Sequence, residues 1–137
     1  MNKEVKTIPH SVVIVLNNQN QVLLEERADD GYFDFPGGAK EENESFLDAA
    51  KRELFEETGL TANKLELFKI YEGEITHYIY HNGDEIYGID YIYICRDYSG
   101  ELIPQIEEVK ALSYFNLDEL PSKMSKRNKQ IVKDLLK

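Results

Sequence analysis

The stretch Gly38 to Leu60, GAKEENESFLDAAKRELFEETGL, constrains the fold of this 137-residue chain more than any other. Ser45 is a good N-cap with Asp48 three residues on, so a helix starts there with its first-turn amides satisfied. From Phe46 to Glu57 no residue is β-branched, and Gly59 follows as a left-handed terminator, which predicts three to four turns. At about 100° per residue, Leu47, Ala50 and Leu54 share one face, and Glu53, Glu56 and Glu57 fall on an arc beside it. Like charges three and four apart disfavour a helix by some tenths of a kcal/mol per pair, so this helix calls for a cation among its acids. A hard divalent ion suits carboxylate oxygens and bridges to phosphate, and Arg52 is placed to lock one glutamate by a bidentate pair. Just upstream, Pro36-Gly37-Gly38 offers backbone groups to a phosphate or metal without side-chain obstruction.

Gly38, then Glu44 after five residues, then Arg52-Glu53-Leu54-Phe55-Glu56-Glu57-Thr58-Gly59-Leu60 after seven more, is the spacing of the Nudix box. The chain resembles a Nudix hydrolase of the MutT-like kind over nearly its whole length, as one domain spanning residues 1–137. The resemblance implies an α/β (α+β) fold, an α/β/α sandwich with a mixed sheet between helices and a loop-helix-loop motif. It also implies hydrolysis of a nucleoside diphosphate linked to another moiety, through water activated by a metal held on Glu53, Glu56 and Glu57. Magnesium is the expected ion and manganese the alternative. With Arg52 these glutamates are the candidate catalytic group, while which carboxylate takes the water's proton stays open. The family often places one more glutamate near the metals, for which Glu108 is the candidate and Glu107 and Glu101 compete.

Substrate contacts are expected from Arg27, Gly37, Gly38 and Tyr78. Arg27 resembles the arginine that ends the strand before the glycine loop, and it has two open roles: facing phosphate, or pairing with Asp29 or Asp30. Phe33 stands at the family's usual Trp position, expected to pack under the loop. Tyr78 lies at the edge of the window where diadenosine-polyphosphate members carry a tyrosine. Ile75-Thr76 replaces the proline of ADP-ribose members, and the coenzyme A signature is missing. A nucleoside triphosphate or a dinucleotide is the resulting expectation. The rival readings are a nucleotide-sensing domain without turnover and a protein-docking module using the acidic helix. The resemblance also admits a homodimer.

Composition narrows the partners. A formal charge of -10 argues against binding a long polyanion, although Lys123 to Lys137 holds six basic residues against one acid and could touch RNA or substrate instead of lying in solvent. With 42% hydrophobic residues a packed core is expected. The lone Cys95, inside an apolar run, reads as a buried thiol. MNKEVKTIPH is too polar for a signal peptide and Val12 to Leu16 too short for a membrane span, which predicts a cytoplasmic protein.

The rest of the chain reads mainly as strands. Ser11 to Leu16 and Gln21 to Arg27, joined by an asparagine-rich turn, predict a hairpin. Leu65 to Tyr80 reads as extended, with a type I′ turn at His81-Asn82-Gly83-Asp84 and a return over Glu85 to Arg96 that is apolar on both faces and so central. His77 and His81 read as surface residues. A turn is expected at Asp97 to Glu101, a helical turn at Asp118 to Leu120, and a last helix with a stripe of Ile131, Val132, Leu135 and Leu136.

Overall fold

The computed structural model describes residues 5–80, 82–105 and 107–137. A five-stranded mixed sheet holds β4 (Gly37–Ala39), β1 (Lys6–Val15), β7 (Glu85–Ser99) and β5 (Thr61–Glu72) in that order, with β6 (Tyr78–Ile79) also on β7. β1 and β7 run parallel, from Lys6 beside Ile86 to Val15 beside Cys95, and the other pairings are antiparallel. A second, antiparallel sheet orders β3 (Phe33–Asp34), β2 (Val22–Arg27) and β8 (Val109–Phe115).

Strand alternation sends successive side chains of β1 to opposite faces. Val12, Ile14 and Leu16 join a core with Tyr71, Ile92 and Ile131, the last from α2 (Lys126–Leu135). Val13 and Val15 join another with Ala50 and Leu54 from α1 (Phe46–Thr58). The sheet therefore lies between two helices, the expected α/β/α sandwich. Leu23 belongs to the α1 side, and Val22 and Leu24 to the other. That parity fixes which face of β2 the next residues occupy.

The hairpin expected of β1 and β2 does not form. The two strands lie in different sheets and share only the bridge Leu16 to Val22. Both edges of β1 are already taken, by β7 and by β4, so its nearest neighbour in sequence has no ladder to join. β1 also begins at Lys6 instead of Ser11, because β7 supplies partners that far out. The long extended segment breaks at Gly73, whose φ of 78° opens a 3-10 turn over Gly73–Thr76. The turn after β6 closes through Gly83, at φ 89°, whose amide donates to the Tyr80 carbonyl, while His81 lies outside the described residues. β7 is central as expected, but it runs through Asp97 to Ser99, and the chain turns at Gly100 with φ 100°. Asp118 to Leu120 forms a turn and no helix.

α1 has the ends that were expected: the Ser45 hydroxyl accepts from the Asp48 amide at 3.0 Å, and Gly59 takes φ 81° with its amide donating to Phe55. Its buried stripe is shifted, however. Leu47 is exposed, and Ala49, Ala50, Leu54, Glu57 and Thr58 are buried, so Glu57 holds a place an apolar residue would normally fill. On α2, Leu136 falls beyond the last turn and is exposed, whereas Asn128 and Asp134 are buried beside Ile131. Ser45→Ala removes the N-terminal cap and is expected to lower stability by about 1 kcal/mol in urea unfolding. A change under a few tenths would mean that the cap contributes little.

Candidate active site

Several strands and both helices line a cavity of about 570 Å³, within the size range of small-molecule sites. Its walls include Glu25 and Arg27 from β2, Gly37 and Gly38 from β4, and Glu57 from α1. Tyr78, Glu108, Asp34, Asp90 and Arg127 also line it. The two glycines of β4 have different neighbours, backbone at Gly37 and a side-chain end at Gly38. A Cβ on Gly37 would overlap the Ser11 carbonyl oxygen, and one on Gly38 would fall 2.6 Å from the Glu53 carboxyl carbon. The Pro-Gly-Gly turn thus lets the chain pass between β1 and the acidic flank of α1.

The three helix glutamates do not share one environment. Arg52 forms its bidentate pair with Glu44, at 3.0 and 2.7 Å, and also donates to Glu53 at 2.9 Å, to Glu56 at 3.2 Å and to the Ala39 carbonyl. Its guanidinium holds the Glu44 carboxyl down at about 2. Glu56 stays half exposed, whereas Glu53 is mostly covered against Gly38; burial raises its pKa, Arg52 opposes the rise, and the charges of Glu56 and Glu108 add to it. Glu57 turns the other way, into the cavity, where its Oε1 accepts from the Gly37 amide at 3.3 Å. The crowding that makes such a helix unfavourable is thus relieved by Arg52 for two of the glutamates and left standing at the third.

Glu25 was not foreseen. It lies two residues after Leu23, so the alternation of β2 carries it to the α1 side, within hydrogen-bonding reach of Glu57. Burial raises both carboxyls, and the bond between them favours a proton on Glu25 and the charge on Glu57. The sequence signal was a single acid at an inward position directly after the apolar run Val22 to Leu24.

The family resemblance implies a divalent cation, and two of these donors suit one. The Oε2 atoms of Glu25 and Glu57 are buried without a hydrogen-bond partner, which is the chemistry a hard cation satisfies. Among the described residues no three His, Cys, Asp or Glu side chains are arranged to hold a metal ion, and Glu53 and Glu56 are bonded to Arg52. The pair facing the cavity fits such an ion.

The other expected residues fall on or near this cavity. Arg27 makes the pairing, binding Asp29 through two nitrogens at 3.0 and 2.8 Å, and it also lines the cavity. Tyr78 also lines the cavity, its ring edge-on to Tyr80. Phe33 packs edge-on against Phe115 at 5.5 Å and also reaches the cavity. Glu107 and Glu108 line it, whereas the Glu101 backbone lies against Gly59, just past the C-terminus of α1. His77 pairs with Glu85 at 3.1 Å. Cys95 is buried and burial pushes its thiol up to about 11, unlike a nucleophile. Arg127 of the basic C-terminal segment turns inward, donating to Asp90 at 3.0 Å, and Asp90 also meets His10 at 2.9 Å; Lys129 and Lys133 stay in solvent. No helix among the described residues is long and apolar enough to cross a membrane.

This architecture, a glycine turn and a glutamate-lined helix over a mixed sheet, is shared with known proteins. A model of the NUDIX domain matches residues 6–135, and the chain belongs to the Nudix family. Among solved structures it is similar to a MutT NUDIX hydrolase from Burkholderia pseudomallei, with a TM-score of 0.80 and 22% identity over 94% of this chain and 98% of that one. It is also similar to a mutator MutT protein from Bacillus halodurans, with a TM-score of 0.75 and 30% identity over 94% and 82%. Of curated relatives, a putative 8-oxo-dGTP diphosphatase of Bacillus subtilis is 50% identical over 50 residues, 36% of this chain and 34% of that protein. An RNA pyrophosphohydrolase of Pasteurella multocida is 36% identical over 62 residues, 45% and 31% respectively. The match therefore spans about a third of the length of these curated relatives.

Proposed function

We propose that the chain is a single Nudix domain acting as a metal-dependent pyrophosphohydrolase on a small nucleotide, a nucleoside triphosphate or a dinucleotide. The observation that carries this reading is the Glu57 carboxylate, buried in the cavity wall beside the Gly37 amide with one oxygen unpartnered. Glu57 and the neighbouring Glu53 and Glu56 would hold magnesium or manganese. When bound, such an ion neutralises diphosphate charge and lowers the pKa of a water ligand. The Gly37 and Gly38 backbone and Arg27 would orient the phosphates, and Tyr78 would flank the substrate. Arg52 fixes the ligand helix to the preceding loop through Glu44 and the Ala39 carbonyl. A cavity glutamate, Glu57 or Glu108, would take the proton of the attacking water.

The names of the relatives, 8-oxo-dGTP diphosphatase and RNA pyrophosphohydrolase, point to triphosphate-bearing substrates. The net charge of -10 favours mononucleotides over long RNA. The decisive measurement is phosphate and pyrophosphate release from a panel of nucleoside triphosphates, 8-oxo-dGTP, dinucleotides and 5′-triphosphorylated RNA, with and without magnesium. Magnesium-dependent release from at least one mononucleotide is expected. Binding without release would leave a sensing domain, and neither binding nor release would leave a docking module.

A further inference from the structure

Glu25 and Glu57 are 6% and 5% exposed, approach each other from strand and helix, and each ends in an oxygen without a partner. Two acids buried face to face are unfavourable unless something positive joins them, and the nearby cation Arg27 is bound to Asp29 instead. Three residues before Glu25 on the same strand are wholly buried hydrophobics, so an apolar side chain would suit its position. We propose that Glu25 is itself a ligand of the divalent cation, holding it against Glu57 from β2, so that the site is built by strand and helix together. This rests on the pyrophosphohydrolase reading and extends its ligand set beyond the helix glutamates. It also accounts for why Glu57 faces β2 while Arg52 holds Glu53 and Glu56.

The test is Mn2+ titration of the full chain without nucleotide, followed by the electron paramagnetic resonance signal of free Mn2+. Wild type is compared with Glu25→Gln, Glu57→Gln and the exposed control Glu66→Gln. Glu25→Gln is expected to weaken Mn2+ binding about ten-fold or more, as Glu57→Gln does, with the control unchanged. The metal-free melting temperature of Glu25→Gln should match or exceed wild type, showing that the fold is intact. If that variant misfolds, anomalous diffraction from a wild-type crystal soaked in Mn2+ decides, with an ion bonded to both Glu25 and Glu57 expected. Wild-type affinity in Glu25→Gln, or an ion bound without Glu25, would show that the pair shares only a proton and would overturn the proposal. Either result leaves the pyrophosphohydrolase reading intact if wild type still hydrolyses nucleotides. Conversely, weakened Mn2+ binding in a protein that hydrolyses none of the panel keeps the ligand assignment and removes the catalytic reading.

Discussion

Glu57→Gln is expected to lower turnover of the best substrate by roughly 10²–10⁴-fold, about 3–5 kcal/mol of transition-state stabilisation. The amide has the shape of the carboxyl and can still accept from the Gly37 amide through its oxygen, so local packing is preserved. What disappears is the negative charge at the one helix glutamate that faces the cavity unneutralised by Arg52. The melting temperature should stay level or rise, because a buried carboxyl whose charge burial disfavours has become a neutral amide. Steady-state kinetics and calorimetry on the same preparation separate the two effects. Turnover within ten-fold of wild type would remove Glu57 from the reaction.

Gly37→Ala carries the second large effect, and this one is on stability. The added methyl group meets backbone on β1, the Ser11 carbonyl and the Val12 Cα, and neither can swing away as a side chain would. β4 must then separate from β1, where Gly37 pairs with Val12 and the Val13 amide donates to the Pro36 carbonyl at 2.8 Å. Overpacking of this kind typically costs about 2–3 kcal/mol, or about 6–12 °C in melting temperature for a chain of this size. Scanning calorimetry reads the shift directly. A loss under 2 °C would show that the turn yields easily.

What the sequence made legible is what short-range chemistry decides. Ser45 and Gly59 bound the helix because a cap and a left-handed terminator act within a turn of themselves. Ile89 to Cys95 marked the central strand because apolar residues on both faces fit only a strand covered twice. The pairing of β1 was not legible, since adjacency in sequence favoured β2, and the competing edge partners β4 and β7 lie far along the chain. The site divides the same way. Gly37, Gly38 and Glu57 follow from the motif, while Glu25 depends on which face of β2 meets α1. Arg127 joins Asp90 and Asp34 in the cavity lining across separations of 37 and 93 residues. No local pattern encodes such a meeting.

The parallel pairing of β1 with β7 has a consequence for how the protein is made. Every residue from Lys6 to Val15 finds its partner eighty positions later, between Ile86 and Cys95. A nascent chain that has emerged only as far as α1 already contains the glycine turn and all three helix acids, yet it lacks the strand that completes the sheet beneath them. Closing a loop of that length comes before any contact across it can stabilise the chain, so folding is expected to be slower than for a chain of this size with local pairings. Until β7 emerges, the acidic helix has no complete platform on which to form a site.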